Sequence, residues 1–221
     1  MNLALFDLDH TLLPIDSDYA WGEFTNRIGW TDPVSFKAKN DQFYADYLAG
    51  ALDIHDYVRF ATESVRSRGP AAAAKAHAQF MKEIILPQIK PQALDLVKTH
   101  QAAGDHVMIV TATNEFVTRP IAQAFGVQEL IAVELARDSE GWITGEISGV
   151  PSFKEGKVLR VEQWLSAHQK NWHDVQITFY SDSINDLPLL EQAQTPVAVN
   201  PDARLRQLAT DRGWRILQLF S

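Results

Sequence analysis

Short apolar runs alternate with longer segments of helical periodicity along most of the chain. Four runs have the apolar character of strands buried on both faces, at 3–6, 107–110, 177–180 and 196–199. Helix-patterned segments lie between or beside them, at 93–103, 115–125, 157–168 and 185–192. Strands that alternate with helices predict a parallel sheet with helical crossovers, and therefore an open α/β fold.

Residues 18–86 interrupt this alternation, because they are rich in alanine, aromatic and charged residues and poor in strand signals. The pattern predicts about four helices, near 18–29, 33–48, 54–67 and 71–86. Asp53 is a typical N-cap for the third helix, and Gly69-Pro70 predicts a stop before the fourth. The segment is too long for a plain connection from a strand to a helix, which indicates an inserted helical domain.

The insertion divides the chain into two predicted domains. We expect a helical cap at 15–87 and an α/β core made of 1–14 and 88–221. Within the core, residues 136–149 contain the turn-forming stretch Asp-Ser-Glu-Gly at 138–141, which predicts a β-hairpin.

Composition and charge narrow the class of protein. The 221 residues include no cysteine, which excludes disulfides, thiolate metal sites and a cysteine nucleophile, and suits a reducing cytoplasm. The net charge is −8 and no long run of Lys or Arg occurs, so we expect no nucleic-acid partner. No apolar stretch approaches the ~20 residues that span a bilayer, and no signal-peptide pattern opens the chain. We therefore expect a cytoplasmic protein without membrane contact, and leave its oligomeric state open.

Polar side chains directly follow three of the predicted strands. The first strand is followed by Asp7 and Asp9, the second by Thr111, and the third by Asp182 and Asp186. In open parallel sheets the ligand crevice lies beyond the carboxyl ends of the strands. We therefore expect these oxygen-bearing side chains to converge at one edge of the sheet.

Four carboxylates in one crevice repel each other strongly unless a cation lies among them. An all-oxygen site suits Mg²⁺, which keeps several waters and binds through one or two carboxylates plus a substrate phosphate. A bound phosphate also needs donors, which the Thr111 hydroxyl and the backbone N–H groups at helix N-termini can supply. Lys154 and Lys157 are the candidate cations, and we favour Lys157 because it opens the helix that precedes the third strand.

These motifs resemble those of the haloacid dehalogenase superfamily. Its first motif, DxDxT, matches Asp-Leu-Asp-His-Thr at 7–11; its second matches Thr111, and its third matches Lys157. Its fourth matches Ser-Asp-Ser-Ile-Asn-Asp at 181–186, where Ser181 replaces the usual glycine. The order of the motifs and the position of the insertion resemble subclass IB, which holds phosphoserine phosphatases and a histidinol-phosphatase-like group.

The resemblance implies a Rossmann-like core with an inserted helical C1 cap, and a Mg²⁺-dependent phosphatase acting on a small phosphorylated metabolite. Asp7 would attack phosphorus to form an aspartyl-phosphate, and Asp9 would serve as acid and then as base. The implied Mg²⁺ ligands are Asp7, Asp9 through its backbone carbonyl, and Asp182. The implied phosphate contacts are Thr111, Ala112, Lys157 and Asn185. Asp186 would orient Lys157 or cap the following helix.

Two residues of the insertion are candidate substrate contacts. Phosphoserine phosphatases place a glutamate for the substrate ammonium at a spacing from the nucleophile that leads here to Asp16, and an arginine for the substrate carboxylate at a spacing that leads to Arg59. Arg59 would favour phosphoserine. Asp18 adds negative charge, which favours histidinol phosphate, a substrate with an amine and an imidazole but no carboxylate. Alternatively, Asp16 caps the first cap helix and Arg59 is a surface charge.

Other functions fit parts of the pattern. A signalling receiver domain also places acidic residues, a threonine and a lysine at strand ends, but it has neither DxDxT nor a helical insertion. A degenerate member acting only as a binding protein would not need the intact set of motif residues. Phosphoryl transfer to an alcohol acceptor stays open as an alternative to hydrolysis.

Overall fold

The computed structural model describes residues 1–220. Its strands are β1 (Asn2–Phe6), β2 (His106–Asn114), β3 (Glu129–Val133), β4 (Leu135–Arg137), β5 (Ile143–Ile147), β6 (Gln176–Ser181), β7 (Thr195–Val199) and β8 (Arg215–Leu217). Six of them form one parallel sheet in the order β3-β2-β1-β6-β7-β8. The remaining two, β4 and β5, form an antiparallel pair, which confirms the predicted hairpin.

The helices are α1 (Ser17–Arg27), α2 (Pro33–Ala49), α3 (Ile54–Phe80), α4 (Pro91–Ala102), α5 (Glu115–Ala124), α6 (Glu155–Ala167), α7 (Leu187–Gln192) and α8 (Ala203–Asp211). A π-helical turn (Met81–Ile85) and a 3₁₀ turn (Leu86–Gln88) connect α3 to α4. Helices and parallel strands alternate outside the insertion, so the predicted α/β fold is confirmed. Among residues 1–220, no helix combines the length and the apolar character needed to cross a bilayer.

The sheet is buried on both faces, as its continuous apolar strands require. In β1, Leu3 and Leu5 belong to one hydrophobic cluster, whereas Ala4 and Phe6 belong to the other. The first cluster continues into α6, α7 and α8, and the second into α4, α5 and the cap. Because side chains alternate between the two faces of a strand, a single five-residue strand contributes to both halves of the core.

The cap consists of α1, α2 and α3, and aspartates cap the start of each helix. The side chain of Asp53 accepts hydrogen bonds from the N–H groups of His55 and Asp56, which confirms its predicted N-cap role. The predicted break at Gly69-Pro70 is also confirmed, because Gly69 has φ 75° and ψ 171° inside α3. The four predicted cap helices are therefore α1, α2 and the two parts of α3. We keep 15–87 as the proposed extent of this domain.

Two strands and one helix were absent from the sequence prediction. β3 and β8 extend the sheet at its two edges, and α8 packs beside β7 and β8. In addition, β2 continues to Asn114, whereas the sequence indicated that this strand ends at Val110. Its pairing with β3 shifts register between Val110 and Asn114. Residues 111–113, with the polar side chains of Thr111 and Thr113, thus lie in an irregular strand end rather than in a loop.

Candidate active site

β1 places Asp7 at the carboxyl edge of the sheet. The Asp7 N–H donates to the carbonyl of Tyr180 in β6 at 2.9 Å, and the side chain is buried. The chain then turns sharply, since the Leu8 carbonyl accepts from the N–H groups of Thr11 and Leu12 at 3.3 and 2.9 Å. This turn returns Thr11 to the side of Asp7 and lets one short segment place several polar groups at the same edge.

Lys157 lies between two carboxylates in the interior. Its Nζ donates to Asp7 Oδ1 at 2.8 Å and to Asp186 Oδ2 at 2.7 Å, and only 1% of its surface is exposed. Burial alone would lower the pKa of Lys157, but the charges of Asp186 and Asp7 outweigh it and hold that pKa above its ordinary value. The lysine therefore stays protonated beside the candidate nucleophile.

The start of α6 directs Lys157 inward and Lys154 away. A Cβ atom on Gly156 would lie 1.9 Å from the carbonyl oxygen of Pro151, so only glycine permits this close approach. Lys154 precedes the helix with φ 51°, and its Nζ donates to the carbonyl of Gly50 at 2.5 Å. Of the two candidate lysines, the structure places Lys157 beside Asp7 and Lys154 at the cap.

Asp186 orients Lys157 and receives a second hydrogen bond. Ser181, which stands where the family usually has glycine, donates from Oγ to Asp186 Oδ2 at 2.7 Å. Burial, the largest influence, raises the pKa of Asp186 to about 6, although Lys157 opposes this shift. Of the two predicted alternatives for Asp186, the pairing with Lys157 is present. Asp186 also occupies the N-cap position of α7, but its side chain makes no cap hydrogen bond there.

Thr11 lies between the carboxylates of Asp7 and Asp182. Its hydroxyl is 3.4 Å from Asp7 Oδ2 and 3.3 Å from Asp182 Oδ1, and it accepts from the Asp182 N–H at 3.1 Å. A hydroxyl has one hydrogen and cannot donate to both carboxylates at once. Burial, and then the charges of Asp7 and Asp186, raise the pKa of Asp182 well above its ordinary value.

The donors at this edge fit the requirements of Mg²⁺. Among residues 1–220, no three His, Cys, Asp or Glu side chains form a group that could hold a metal by themselves. Mg²⁺ does not need such a group, because one or two carboxylates with waters and a substrate phosphate suffice. Asp7 and Asp182 supply two carboxylates on either side of one hydroxyl. Their mutual repulsion, expressed in the raised pKa of Asp182, is the charge imbalance that a cation would relieve.

Asp9 is held by two hydrogen bonds from different domains. The N–H of Ser17 in the cap donates to Asp9 Oδ1 at 2.7 Å, and the Thr113 hydroxyl in the core donates to Oδ2 at 2.8 Å. Burial, followed by the charge of Asp16, raises the pKa of Asp9 to about 6. A carboxyl that titrates near neutral pH is suited to give and take a proton.

The remaining predicted phosphate contacts occupy different places. Thr111 and Ala112 line the cavity above Asp7. Asn185 is turned toward the cap, where its side-chain nitrogen donates to the backbone carbonyl of Tyr47 at 2.9 Å. The structure thus brings Thr111 and Ala112 to the site and uses the Asn185 amide at the boundary between the domains.

A cavity lies between the core edge and the cap. Its lining is acidic and aromatic, without lysine or arginine: Asp7, Asp9, His10, Asp16, Asp18, Tyr19, Asn40, Phe43, Tyr44, Tyr47, Leu52, Ile54, Tyr57, Thr111, Ala112 and Thr113. Asp16 lines the cavity, and its side chain also caps α1 by accepting a hydrogen bond from the Tyr19 N–H at 2.8 Å. Burial raises the pKa of Asp16, and it raises that of Asp18 to about 8.

Arg59 does not reach this cavity, and the prediction that it binds a substrate carboxylate is corrected. Its guanidinium pairs with Asp56 at 2.7 Å and with Glu146 in the β4–β5 hairpin at 3.1 Å, and its side chain is 45% exposed. These two acidic partners hold it on the outer surface of the cap. The alternative interpretation, a surface charge, describes its position.

The sequence analysis missed Thr113 and Asn40, which also line the cavity. Thr113 had a local signal, since residues two apart in a strand face the same side and Thr111 was already a candidate. Asn40 had none, because α2 is polar on several sides and only the packed cap shows which side faces the core.

The C-terminal end of α2 is fixed to the core by hydrogen bonds to its carbonyl groups, which we term the closure contacts. Core side chains donate to these main-chain oxygens: Asn185 to Tyr47 at 2.9 Å, Arg204 to Leu48 at 2.7 Å and Lys154 to Gly50 at 2.5 Å. The last carbonyls of a helix have no partners within the helix. The core therefore satisfies them and holds the cap over the cavity.

Comparison with known proteins agrees with this arrangement. The model of the haloacid dehalogenase-like hydrolase family matches residues 4–191. The chain is 42% identical over 217 residues to the histidinol-phosphatase of Neisseria meningitidis serogroup C (strain 8013), with 98% of each chain covered. A Bordetella pertussis Tohama I protein of unknown function is similar in structure, with TM-score 0.93, 47% identity and 99% of each chain covered.

A phospho-aspartyl intermediate analogue of phosphoserine phosphatase shares the fold, with TM-score 0.66, 17% identity, and 99% of this chain and 93% of that chain covered. The chain belongs to the haloacid dehalogenase-like hydrolase family. The predicted family, fold and enzyme class, a phosphatase, are thereby confirmed.

Proposed function

We propose that this protein is a Mg²⁺-dependent phosphatase that hydrolyses histidinol phosphate through an aspartyl-phosphate on Asp7. The observation that carries the substrate is the cavity above Asp7, which has carboxylates and aromatic rings in its wall and no lysine or arginine. The likeness to the Neisseria histidinol-phosphatase over nearly the whole chain supports the same assignment.

Charge distinguishes this substrate from phosphoserine. Both esters carry a phosphate and an amine, but phosphoserine adds a carboxylate and histidinol phosphate adds an imidazole. A carboxylate placed in this cavity with Asp7 and Asp16 would meet like charge in a poorly solvated space, where such repulsion is strong. Arg59, the residue that could have balanced it, pairs with Asp56 and Glu146 outside the cavity.

The first step forms the bond between Asp7 and phosphorus. A carboxylate oxygen of Asp7 attacks the phosphoryl group, the bond to the ester oxygen breaks, and Asp9 gives its proton to that oxygen as the alcohol leaves. Lys157, fixed by Asp7 and Asp186, and the Thr111 hydroxyl balance the charge on the phosphoryl oxygens. Magnesium bound by Asp7, Asp182 and the Asp9 carbonyl would supply further positive charge against those oxygens.

The second step regenerates the enzyme. The oxygen of a water molecule attacks phosphorus while Asp9, now a carboxylate, takes a proton from that water. The bond between phosphorus and Asp7 breaks, which releases phosphate. Asp9 stays in position for both transfers because Ser17 and Thr113 hold its two oxygens. One difficult displacement is thereby divided into two easier ones.

The proposal is tested with purified protein and a set of phosphate esters. We expect kcat/KM for histidinol phosphate to exceed that for phosphoserine by about 100-fold, the scale on which unpaired or opposed polar groups discriminate substrates. Activity should disappear with EDTA, return with Mg²⁺ and be inhibited by Ca²⁺, whose coordination is larger and more flexible. Equal and slow turnover of both esters would reject the substrate, and full activity after chelation would reject the metal.

The same measurements separate the other classes. Steady turnover of p-nitrophenyl phosphate excludes a receiver domain, which is phosphorylated on aspartate but does not turn over esters. Adding an alcohol such as glycerol to the assay and following its phosphorylated product distinguishes phosphoryl transfer from hydrolysis. Hydrolysis predicts inorganic phosphate equal to the alcohol released from the substrate.

A further inference from the structure

The cap side of the cavity contains a buried amide without a partner. Asn40 lies on α2 with 3% of its surface exposed, and it lines the cavity. Its side-chain nitrogen is fully buried and has no hydrogen-bond partner among residues 1–220. Leaving such a donor unsatisfied in the interior destabilises the free protein, so a group of this kind requires a reason to be kept.

Asp18 is a buried carboxyl in the same cavity. Its exposed fraction is 5%, and its oxygens lie 3.3 and 3.5 Å from the side-chain nitrogen of Asn114. Neither lysine nor arginine pairs with it within residues 1–220. Burial, and then the charge of Asp16, raises the pKa of Asp18 to about 8. Near neutral pH the Asp18 carboxyl is therefore largely protonated, and its carbonyl oxygen is an acceptor that needs no cation beside it.

Asn40 and Asp18 lie near each other through Gly22. A Cβ atom on Gly22 would lie 2.9 Å from Cε1 of Phe36 and 3.0 Å from the Asn40 side-chain nitrogen, so both side chains pack against the α1 backbone at this residue. Residues four apart on a helix are on the same face, with Cβ atoms about 5–6 Å apart. The unpaired amide is thus about one helical turn from Asp18, and glycine at this position makes room for it.

A neutral imidazole ring matches these two groups. It has an N–H donor at one nitrogen and an acceptor at the other, on separate edges of a flat ring. Asp18 can accept from the first, and the Asn40 amide can donate to the second. The aromatic side chains of Phe43, Tyr44 and Tyr57 line the same cavity and suit the faces of such a ring.

The acidic residues of the cavity suit the groups of the substrate. Asp16 lines the cavity together with Asp9 and Asp18, and it caps α1 two residues before Asp18. In histidinol phosphate the amine lies between the phosphate ester and the ring. We propose that Asp18 and Asn40 form a subsite for the imidazole ring of the substrate, with Asp16 facing the amine; this subsite rests on the proposed function.

The test compares two esters that differ only in the ring. Histidinol phosphate is measured against 2-aminopropyl phosphate, which keeps the amine and the phosphate but has hydrogen in place of the imidazole. We expect wild type to prefer histidinol phosphate by about 100-fold in kcat/KM. In Asp18→Ala and Asn40→Ala, the loss on histidinol phosphate should be at least about 10-fold greater than the loss on the ring-free ester.

Two further measurements keep the test decisive if Asp18→Ala or Asn40→Ala fails to fold. Gly22→Ala keeps both polar side chains and favours the helix, but its Cβ would displace both the Phe36 ring and the Asn40 amide; its loss should again be greater on histidinol phosphate. With wild type, the product histidinol should inhibit at least about 10-fold more strongly than 2-aminopropanol, as a bound ring predicts. Arg59→Ala serves as the control variant and should leave both substrates unaffected.

A failure of the proposed subsite and a failure of the proposed function give different results in these assays. Equal losses on both esters in the three cavity variants, or no loss on either, would overturn the subsite while histidinol phosphate remained the preferred substrate. Wild type that does not distinguish the two esters would also overturn it. Failure of the proposed function has another signature, namely that neither amino alcohol phosphate is hydrolysed better than p-nitrophenyl phosphate.

Discussion

The two sides of the cavity differ in how their polar groups are satisfied. On the core side, which we call the floor, Asp7, Lys157 and Asp186 form a closed set of hydrogen bonds of 2.7–2.8 Å. On the cap side, which we call the wall, Asp18 has no lysine or arginine partner and the Asn40 side-chain nitrogen has no hydrogen-bond partner within the described residues 1–220. Both sides are buried, so they differ in whether their polar groups have hydrogen-bond or ion-pair partners and not in their exposure to solvent.

This difference corresponds to two tasks. The floor performs the same displacement on any phosphate ester, and a preformed arrangement loses nothing in reorganisation when the substrate arrives. The wall must select one ester. A ligand that supplies the missing partners relieves an existing cost, whereas a ligand that lacks them leaves buried groups unpaired, and this is how large discrimination arises.

The largest expected effect comes from the floor. Asp7→Asn removes the attacking charge with little change in volume, so turnover should fall by at least about 1,000-fold on every ester, including p-nitrophenyl phosphate. Circular dichroism and the thermal midpoint verify that the fold is retained. Near-normal rates in the folded variant would show that Asp7 is not the nucleophile.

Lys157 tests whether the floor is held by charge. Lys157→Met keeps the volume but leaves Asp7 and Asp186 buried without their cation, which should cost about 3–5 kcal/mol in the free energy of unfolding and abolish turnover. Urea denaturation in Mg²⁺-free buffer measures it. The exposed Lys98→Met is the matched control, and an equally small effect of both substitutions would contradict the comparison.

Asp18 gives the wall a pH signature. In the folded protein its carboxyl keeps a proton up to a pKa of about 8, whereas the ordinary value of the unfolded chain is 3.8. Between these values the folded state binds more protons, so this group lowers the stability of wild type as pH rises, by up to about 1.4 kcal/mol per pH unit.

The isosteric Asp18→Asn removes this titration. Relative to wild type, the free energy of unfolding of the variant should therefore increase from pH 5 to pH 8, as followed by urea denaturation at several pH values. A difference between the two proteins that stays constant over this range would show that Asp18 is not held protonated in the wall.

The smallest effect is expected outside both sides of the cavity. Arg59→Ala removes two exposed ion pairs, which contribute little to stability because solvent screens them. The kcat/KM values for histidinol phosphate and phosphoserine should stay within about twofold of wild type. A selective loss on phosphoserine would return Arg59 to the substrate site.

The placement of the floor was predictable because its signals are local. Asp7, Thr111 and Asp182 each come at or just beyond the end of an apolar run, and parallel strands bring their carboxyl ends to one edge whatever the details of packing. Lys157 required a choice between two lysines three residues apart. Gly156 and the turn around Pro151 decide it, since they set the direction in which α6 begins.

The wall was not predictable in the same way. Asp18 meets Asn114 across 96 residues of sequence, and Asn40 reaches α1 only through the packing of two cap helices. α2 carries no clear apolar stripe that would indicate which side faces the core. Arg59 shows the converse, because its spacing matched a family pattern while its ion pairs hold it on the surface.

The closure contacts have an evolutionary consequence. They engage the cap only through the carbonyl oxygens of Tyr47, Leu48 and Gly50, and every amino acid carries a carbonyl. Substitutions among the cap side chains can therefore reshape the wall for a different ester without removing the acceptors that keep the cap shut. Because the donors of these three contacts belong to the core, changes of the cap side chains leave the contacts themselves in place.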